Sequence, residues 1–352
     1  MLDLGDQPAC DHFPPSGTRP PDPLYPLQMW LCGACGLAQL VADATDAEEP
    51  RATEPAALIE QAADAVRRVG DAGWLPTGAR AAEFGSPHGG SWLELLRERG
   101  LEPVGDGETA DVVLDCFGVM HSADQAGALN RRAARVADGG VLLMQFHSLA
   151  TIVGRGQWNA LRHGHFAYYS TTALTGMLAT VGFHARQAWT FDLYGGTVLL
   201  AATREAGSGP DDSVGALLSA EAEVGATDAT AVASLQRAAA ANAQGLHDWL
   251  VGARDDGLDV VGYGAASRAI ALLCKAGVDV DLLPAVADAS PAKHGLRMPG
   301  TSIPVISTDE LVARSPRAVA LFLPDLLPEV RKALPQIEAA GGRWVDVEDL
   351  GS

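Results

Sequence analysis

The run Arg162-His163-Gly164-His165-Phe166, flanked by Trp158 and by Tyr168-Tyr169, is the densest group of reactive side chains in the sequence. Imidazoles exchange protons near neutral pH, so a histidine here could act as a general base. Arg162, His163 or Tyr168 could stabilise an oxyanion formed as the proton leaves. The stretch follows neither a strand nor a helix period, and functional groups favour irregular segments carried by a rigid sheet. Against this stands the plainer reading of packing histidines and core aromatics.

Two glycine-rich turns could hold ligands. Glu83-Phe84-Gly85-Ser86-Pro87-His88-Gly89-Gly90 closes an apolar run and precedes a helical pattern. Glycines let the backbone approach a ligand closely, and a helix N-terminus favours negative charge. Asp106, just after the expected strand Glu102 to Gly105, is placed to accept hydrogen bonds from a ribose. Gly262-Tyr263-Gly264-Ala265-Ala266-Ser267 again joins a strand to a helix but lacks the third glycine of the dinucleotide fingerprint. That argues against NAD and leaves backbone amides for a diphosphate. Lys293, one of three lysines, lies in the following loop Asp288 to Gly295 and suits phosphate, the alternative being a solvated surface lysine. Cys32-Gly33-Ala34-Cys35 is half of a tetrahedral zinc site. Cys10 and His12 could complete it, or the thiols are free.

The elements that must position these groups follow from periodicity. Thr53 to Val69 carries apolar residues at helical spacing, with an early Pro55 and a closing Gly70. From about residue 78 to 205, strand-like runs alternate with helical patterns: Ala81 to Gly85, Trp92 to Arg99, Ala110 to Asp115, Ala123 to Val136, Val141 to Phe146. Such alternation predicts an α/β fold with a mostly parallel sheet covered on both faces. Ala-rich helical sequence from Ala229 to Val251 reads as a connector, after which strand patterns resume at Leu258, Leu282 to Ala287, Ala318 to Leu323 and Trp344 to Val347. The expected division is 1–52, a small module too poor in core to stand alone; 53–205, an α/β domain; 206–256, a helical connector; and 257–352, a second α/β domain.

The 352 residues carry 25 Lys plus Arg against 44 Asp plus Glu, a net charge of −19 with no basic stripe, so no nucleic-acid partner is expected. No apolar run reaches the ~18 residues of a membrane span, and the start Met-Leu-Asp-Leu-Gly-Asp lacks signal-peptide character, so a cytoplasmic protein without a membrane partner is expected. Five cysteines do not make a disulfide framework.

Taken in order, these pieces resemble the sugar C-methyltransferase family, which methylates nucleotide-linked keto-deoxysugars with S-adenosylmethionine. L-D-L-G-D-Q-P-A-C-D-H-F with L-Q-M-W-L-C-G-A-C-G-L-A-Q-L is similar to its N-terminal zinc module, and E-F-G-S-P-H-G to its cofactor loop. H-G-H-F-A-Y-Y-S is similar to its catalytic segment, D-L-Y-G-G-T to its later glycine turn, and V-V-G-Y-G-A-A-S-R with D-A-S-P-A-K-H-G and P-G-T-S-I-P to its C-terminal domain. The resemblance implies a class I methyltransferase-like, Rossmann-like domain, a second Rossmann-like domain and a zinc-module remnant. It implies S-adenosylmethionine near Glu83, Gly85, Gly89 and Asp106, structural zinc, and a nucleotide-linked sugar near Gly262, Tyr263, Gly264, Ser267, Asp288, Lys293 and Tyr194. His165 would remove the proton beside the ketone, leaving an enolate to take the methyl group, and His121 matches a further histidine of the family.

The departures fall on the donor side. Only Gly107 to Ala110 separate Asp106 from the next strand, where the family places a helix and a strand around the adenine. The segment Asp43 to Arg68 holds neither the Tyr nor the Ser that the family offers the donor, and its Tyr-x-Glu-His becomes Arg162-His163-Gly164-His165. Donor-independent acid–base chemistry on the same substrate class, such as epimerisation, tautomerisation or elimination, and a non-catalytic partner role are therefore the alternatives.

Overall fold

The computed structural model describes the chain except for Arg19, residues 46–54, residues 86–89, Ala206, Ser208 and Ser352. Its strands are β1 (Leu2–Pro8), β2 (Leu24–Leu31), β3 (Ala38–Leu40), β4 (Arg80–Phe84), β5 (Glu102–Pro103), β6 (Ala110–Cys116), β7 (Val136–His147), β8 (Ala167–Tyr168), β9 (His184–Phe191), β10 (Thr197–Thr203), β11 (Val260–Tyr263), β12 (Val286–Ala287), β13 (Val305–Ile306), β14 (Ala318–Leu321) and β15 (Arg343–Asp346). They form three sheets, ordered β1-β2-β3-β8, β5-β4-β6-β7-β10-β9 and β13-β12-β11-β14-β15.

Continuous apolar runs in the middle of the chain place β4, β6 and β7 inside, since a parallel strand is buried on both faces. Ala81, Leu114, Leu143 and Leu199 face a layer that includes the helix Ala56–Asp71, while Ala82, Val113, Met144 and Leu200 face the helices Gln125–Arg135 and Thr171–Thr180. Strands β5, β4, β6 and β7 are parallel, and β10 runs antiparallel between β7 and β9. The sheet stops at the two residues of β5; among the described residues no strand lies beyond it. The C-terminal sheet is parallel throughout, with the strand order reversing at β11. Ligands of such doubly wound sheets bind beyond the C-terminal ends of the strands at that reversal, here Gly264 to Ser267 after β11. The run Leu282 to Ala287 gives only the two-residue β12, because Leu282 closes a turn onto the Asp279 carbonyl.

The first 45 residues are not a separate body. Leu2, Leu4, Leu27 and Met29 point inward on alternate positions and share one core with Leu246, Ile270 and Leu272 of the C-terminal unit. Their sheet is completed by β8, which begins two residues after His165, so the N-terminal sheet carries the histidine segment. The region 206–256 is also more than a connector. Its helix Leu235–Asp255 buries Leu235, Ala239, Leu246 and Leu250 in that same core, which makes it a layer of the C-terminal unit.

Two ionic contacts lock these units. The helix Ala56–Asp71 has Pro55 at its N-cap, which offers no side-chain cap. Glu329, on the helix Leu327–Ala333, accepts from the amides of Ala56 at 3.2 Å and Ala57 at 3.1 Å instead. Arg297, 1% exposed, donates to both oxygens of Asp22, to the Thr301 carbonyl at 2.9 Å and to Thr18 Oγ1 at 3.2 Å. This guanidinium holds the Asp22 carboxyl below its usual range, so the pair stabilises the fold above the ordinary carboxylate pKa and loses that effect as acid protonates Asp22.

Replacing Arg297 with Met should therefore lower the unfolding free energy at pH 7 by about 3 kcal/mol. In urea titrations the gap to wild type should narrow below a pH of about 4. Equal midpoints at pH 7 would remove the pair from the stabilising interactions.

Candidate active site

The irregular run after the turn Trp158–Ala160 lies between the middle and C-terminal units, and its backbone fixes which side chains face inward. Gly164 adopts φ +81°, a left-handed conformation suited to glycine, so His163 and His165 on either side of it can leave the chain in different directions. His165, 4% exposed, accepts from Arg162 Nε, with Nε2 at 2.8 Å. The Arg162 Nη1 atom donates in turn to the Ser267 hydroxyl, at the first residue of the helix Ser267–Lys275. One guanidinium thus joins the candidate base to the glycine turn of the C-terminal sheet.

Around this pair, His121 meets the His165 ring edge-on at 4.6 Å, and its Nδ1 lies 2.9 Å from the Gly164 carbonyl oxygen. The Tyr168 hydroxyl accepts from the Arg162 amide at 3.0 Å, and burial keeps its phenol far above the ordinary value, so it positions the arginine as a neutral group. His163 does not join them. Its Nε2 lies 3.3 Å from the Pro26 carbonyl oxygen under β2, and burial lowers its pKa, which makes it an anchor to the N-terminal sheet rather than an oxyanion donor.

Of the expected substrate groups, Gly264 at φ +95° lets the chain turn against Leu323, where a Cβ would come within 3.2 Å of that side chain. Gly262 lies between Phe322 and Val286 with no room for a side chain. Asp288 secures the turn by accepting from the Ala265 amide at 2.8 Å and the Ser290 amide at 2.8 Å. Tyr263 packs edge-on against Trp344 at 5.6 Å, and burial raises its phenol to about 12. The expectation of a flexible Lys293 in an open loop is corrected: the residue is 2% exposed, its amine donates to the Ala265 carbonyl at 2.8 Å and lies 5.1 Å from the Phe13 ring centroid. The lysine supports the turn from behind. Tyr194 lies in the short turn Leu193–Gly195, and its side chain is outside the described residues.

On the donor side, Glu83 caps the next helix by accepting from the Trp92 amide at 2.7 Å and the Ser91 hydroxyl at 2.6 Å. Gly85 ends β4, and Gly89 lies outside the described residues. Asp106 sits exposed on the tight turn Gly105 to Glu108, which Arg135 clamps by donating to the carbonyls of both end residues. The short β5–β6 connection therefore makes no wall for an adenine. Polar groups do remain at the other end: Gln61, Gln145 and Thr197 are buried on the face of the sheet that carries Glu83, with side-chain atoms that meet no hydrogen-bond partner among the described residues. The residues present fit the polar end of a methyl donor and leave its base without an enclosing pocket.

The four expected zinc ligands do not assemble. The Cys10 thiol is buried against the His163 carbonyl at 3.7 Å and the Asp11 carboxylate at 3.4 Å. Cys32 and Cys35 share the turn between β2 and β3, where the amides of Cys35 and Ala34 lower the Cys32 pKa. Among the described residues no three His, Cys, Asp or Glu gather in a metal-binding group. A set made of Cys10, His12, Cys32 and Cys35 does not fit a tetrahedral ion.

Two groups escaped the sequence reading. Asp43 accepts from the Gly164 amide and, at 2.9 Å, from the Thr45 amide, so the N-terminal segment pins the histidine turn. The Asp-x-Thr spacing was the available signal. Phe117, at φ +60°, stacks on His147 with ring centroids 4.5 Å apart, at the C-terminal ends of β6 and β7. A phenylalanine in that conformation is uncommon and marks functional ends of strands.

If Cys10 serves the histidine segment and not a metal, Cys10→Ser should leave the zinc content of the purified chain unchanged. Elemental analysis showing less zinc in the variant would return Cys10 to the ligand set.

Residues 1–49 match a family model described as a putative zinc binding domain, and residues 192–347 one described as a C-methyltransferase C-terminal domain. C-methyltransferase NovU of Streptomyces niveus is 25% identical over 316 residues, 80% of this chain and 74% of that protein. A SAM-dependent methyltransferase of Thermotoga maritima, described as a possible histamine N-methyltransferase, overlaps 42% of this chain and 95% of its own at 14% identity and a TM-score of 0.29. Magnesium protoporphyrin IX methyltransferase of Synechocystis, with bound SAH, overlaps 42% and 84% at 13% identity and a TM-score of 0.32. The fold assignment rests on the strand order given above, while the two domain models at opposite ends of the chain and the relative spanning four-fifths of it show that this protein is similar to C-methyltransferases.

Proposed function

We propose that the protein methylates a carbon beside the ketone of a nucleotide-linked keto-deoxysugar. The observation that carries this reading is the Arg162 guanidinium, held between His165 and Ser267. A carbon nucleophile must first lose a proton, and the enolate oxygen that develops needs positive charge nearby. His165 is buried, and Arg162 beside it supplies the charge. Ser267 and the amides at the N-terminus of its helix, beyond the turn that Asp288 secures, would take the diphosphate, which would direct the linked sugar toward His165. His121 and Tyr168 orient the base and the arginine. S-Adenosylmethionine, when bound, supplies an electrophilic methyl group. Asp106 would accept from its ribose, and Glu83 caps the helix that follows the glycine-rich turn.

A second reading, proton transfer at the same carbon without a methyl donor, is favoured by one observation: the clamped turn Gly105 to Glu108 leaves the adenine side unwalled. Both readings need the base, so one experiment separates them from a non-catalytic role. With a nucleotide-linked 4-keto sugar in deuterated water, NMR should show deuterium entering beside the ketone, and His165→Ala should slow this by about 100-fold or more. Exchange at the buffer rate in both proteins would overturn any acid–base role. Label from methyl-tritiated S-adenosylmethionine appearing in the sugar distinguishes methylation from simple proton transfer. Arg162→Lys keeps a charge but loses the planar fork that reaches both partners. It should weaken nucleotide-sugar binding and slow exchange together, and a variant with unchanged values would remove Arg162 from the site.

A further inference from the structure

Three buried polar side chains converge at one end of the central sheet. Gln145 is 0% exposed, Thr197 1% and Gln61 8%. Among the described residues, neither amide atom of Gln61, neither amide atom of Gln145, nor the Thr197 hydroxyl has a hydrogen-bond partner. Gln145 is in register with Cys116 on one side and Leu199 on the other, and Thr197 with His147. Strand alternation puts Gln145 on the face of Leu143, and Thr197 on the face of Leu199. The helix Ala56–Asp71 covers that face with Ala62, Ala65 and Val66. Its first turn leans on Leu193, four residues before Thr197, so Gln61 enters from above at the same end.

Unsatisfied groups of this kind are rare in folded chains and destabilise them. Their clustering at the C-terminal ends of β4, β6 and β7 points to a ligand that completes them. None of the three is charged, which disfavours a phosphate. Two amides and a hydroxyl both donate and accept, which matches a zwitterion: a carboxylate takes the amide and hydroxyl protons, and an ammonium donates to the amide oxygens. Resting on the methyl-transfer reading, we propose that Gln61, Gln145 and Thr197 bind the α-amino-acid end of the methyl donor, replacing the tyrosine and serines that the segment Asp43 to Arg68 lacks.

The test uses the full chain, S-adenosylhomocysteine, and 5′-deoxy-5′-methylthioadenosine, which has the nucleoside without the amino-acid end. Gln145→Leu and Thr197→Val, made separately so that one folded variant suffices, remove groups that have no partner in the free protein. Each should leave the thermal midpoint of the unliganded protein unchanged or raised. Calorimetry should show S-adenosylhomocysteine bound about tenfold or more weakly by each variant, with methylthioadenosine affinity unchanged. Wild-type affinity for S-adenosylhomocysteine in the variants would overturn the assignment and leave the donor reading standing. A wild-type protein that binds neither compound would overturn the donor reading, and this assignment with it.

Discussion

The site depends on a guanidinium that two units hold in common. Arg162 belongs to the irregular run that feeds β8, and its far end reaches the hydroxyl at the start of a C-terminal helix. Everything near it acts to keep that reach constant. Tyr168 fixes the arginine's own amide, Asp43 fixes the amide of Gly164, and His163 and Cys10 fasten the run to the N-terminal sheet. A long flexible side chain is a poor positioning device by itself, since ordering it costs rotamer entropy. Here the entropy is already spent in the folded state, on contacts drawn from three parts of the chain.

This explains why the first 45 residues matter to the proposed chemistry although they carry no member of the candidate site. They supply three of the four strands on which the histidine run is hung. Their core is shared with the C-terminal unit, and Arg297 with Asp22 ties the loop before β2 to the same unit. The middle domain is joined at the opposite end by Glu329, which caps the helix that carries Gln61. A displacement of the C-terminal unit would therefore be felt both by His165 and by the sheet face that carries Gln145.

Much of this was legible in the sequence. The alternation of strand and helix patterns between residues 78 and 205 predicts the sheet, and the three residues between Asp106 and β6 are too few for the missing helix and strand. His165, Arg162 and Ser267 stood out by type and spacing. The failures have physical causes. Lys293 was read as exposed because its loop is rich in Gly and Pro, but a cation can be buried where groups such as a carbonyl and an aromatic ring receive it. His163 resembles His165 in every local respect, and only the left-handed Gly164 separates their roles. Cys10 follows a zinc-module pattern, yet which groups a thiol meets is set by pairing over more than 150 positions, which no local spacing reports.

The loss of an outer strand beyond β5 has a consequence for the molecule's behaviour in a crowded solution. A sheet that ends early presents a fresh row of amides to any extended peptide nearby, the usual origin of edge-to-edge association. In β5 the amides of Glu102 and Val104 turn inward to the carbonyls of Ala79 and Ala81, at 2.9 Å each. The outward amide between them would be that of residue 103, which is a proline and has no hydrogen to offer. Immediately afterward the chain leaves the strand direction at Gly105, held there by Arg135. The truncated border is thus chemically blunt: it can be shortened without becoming a template for another chain.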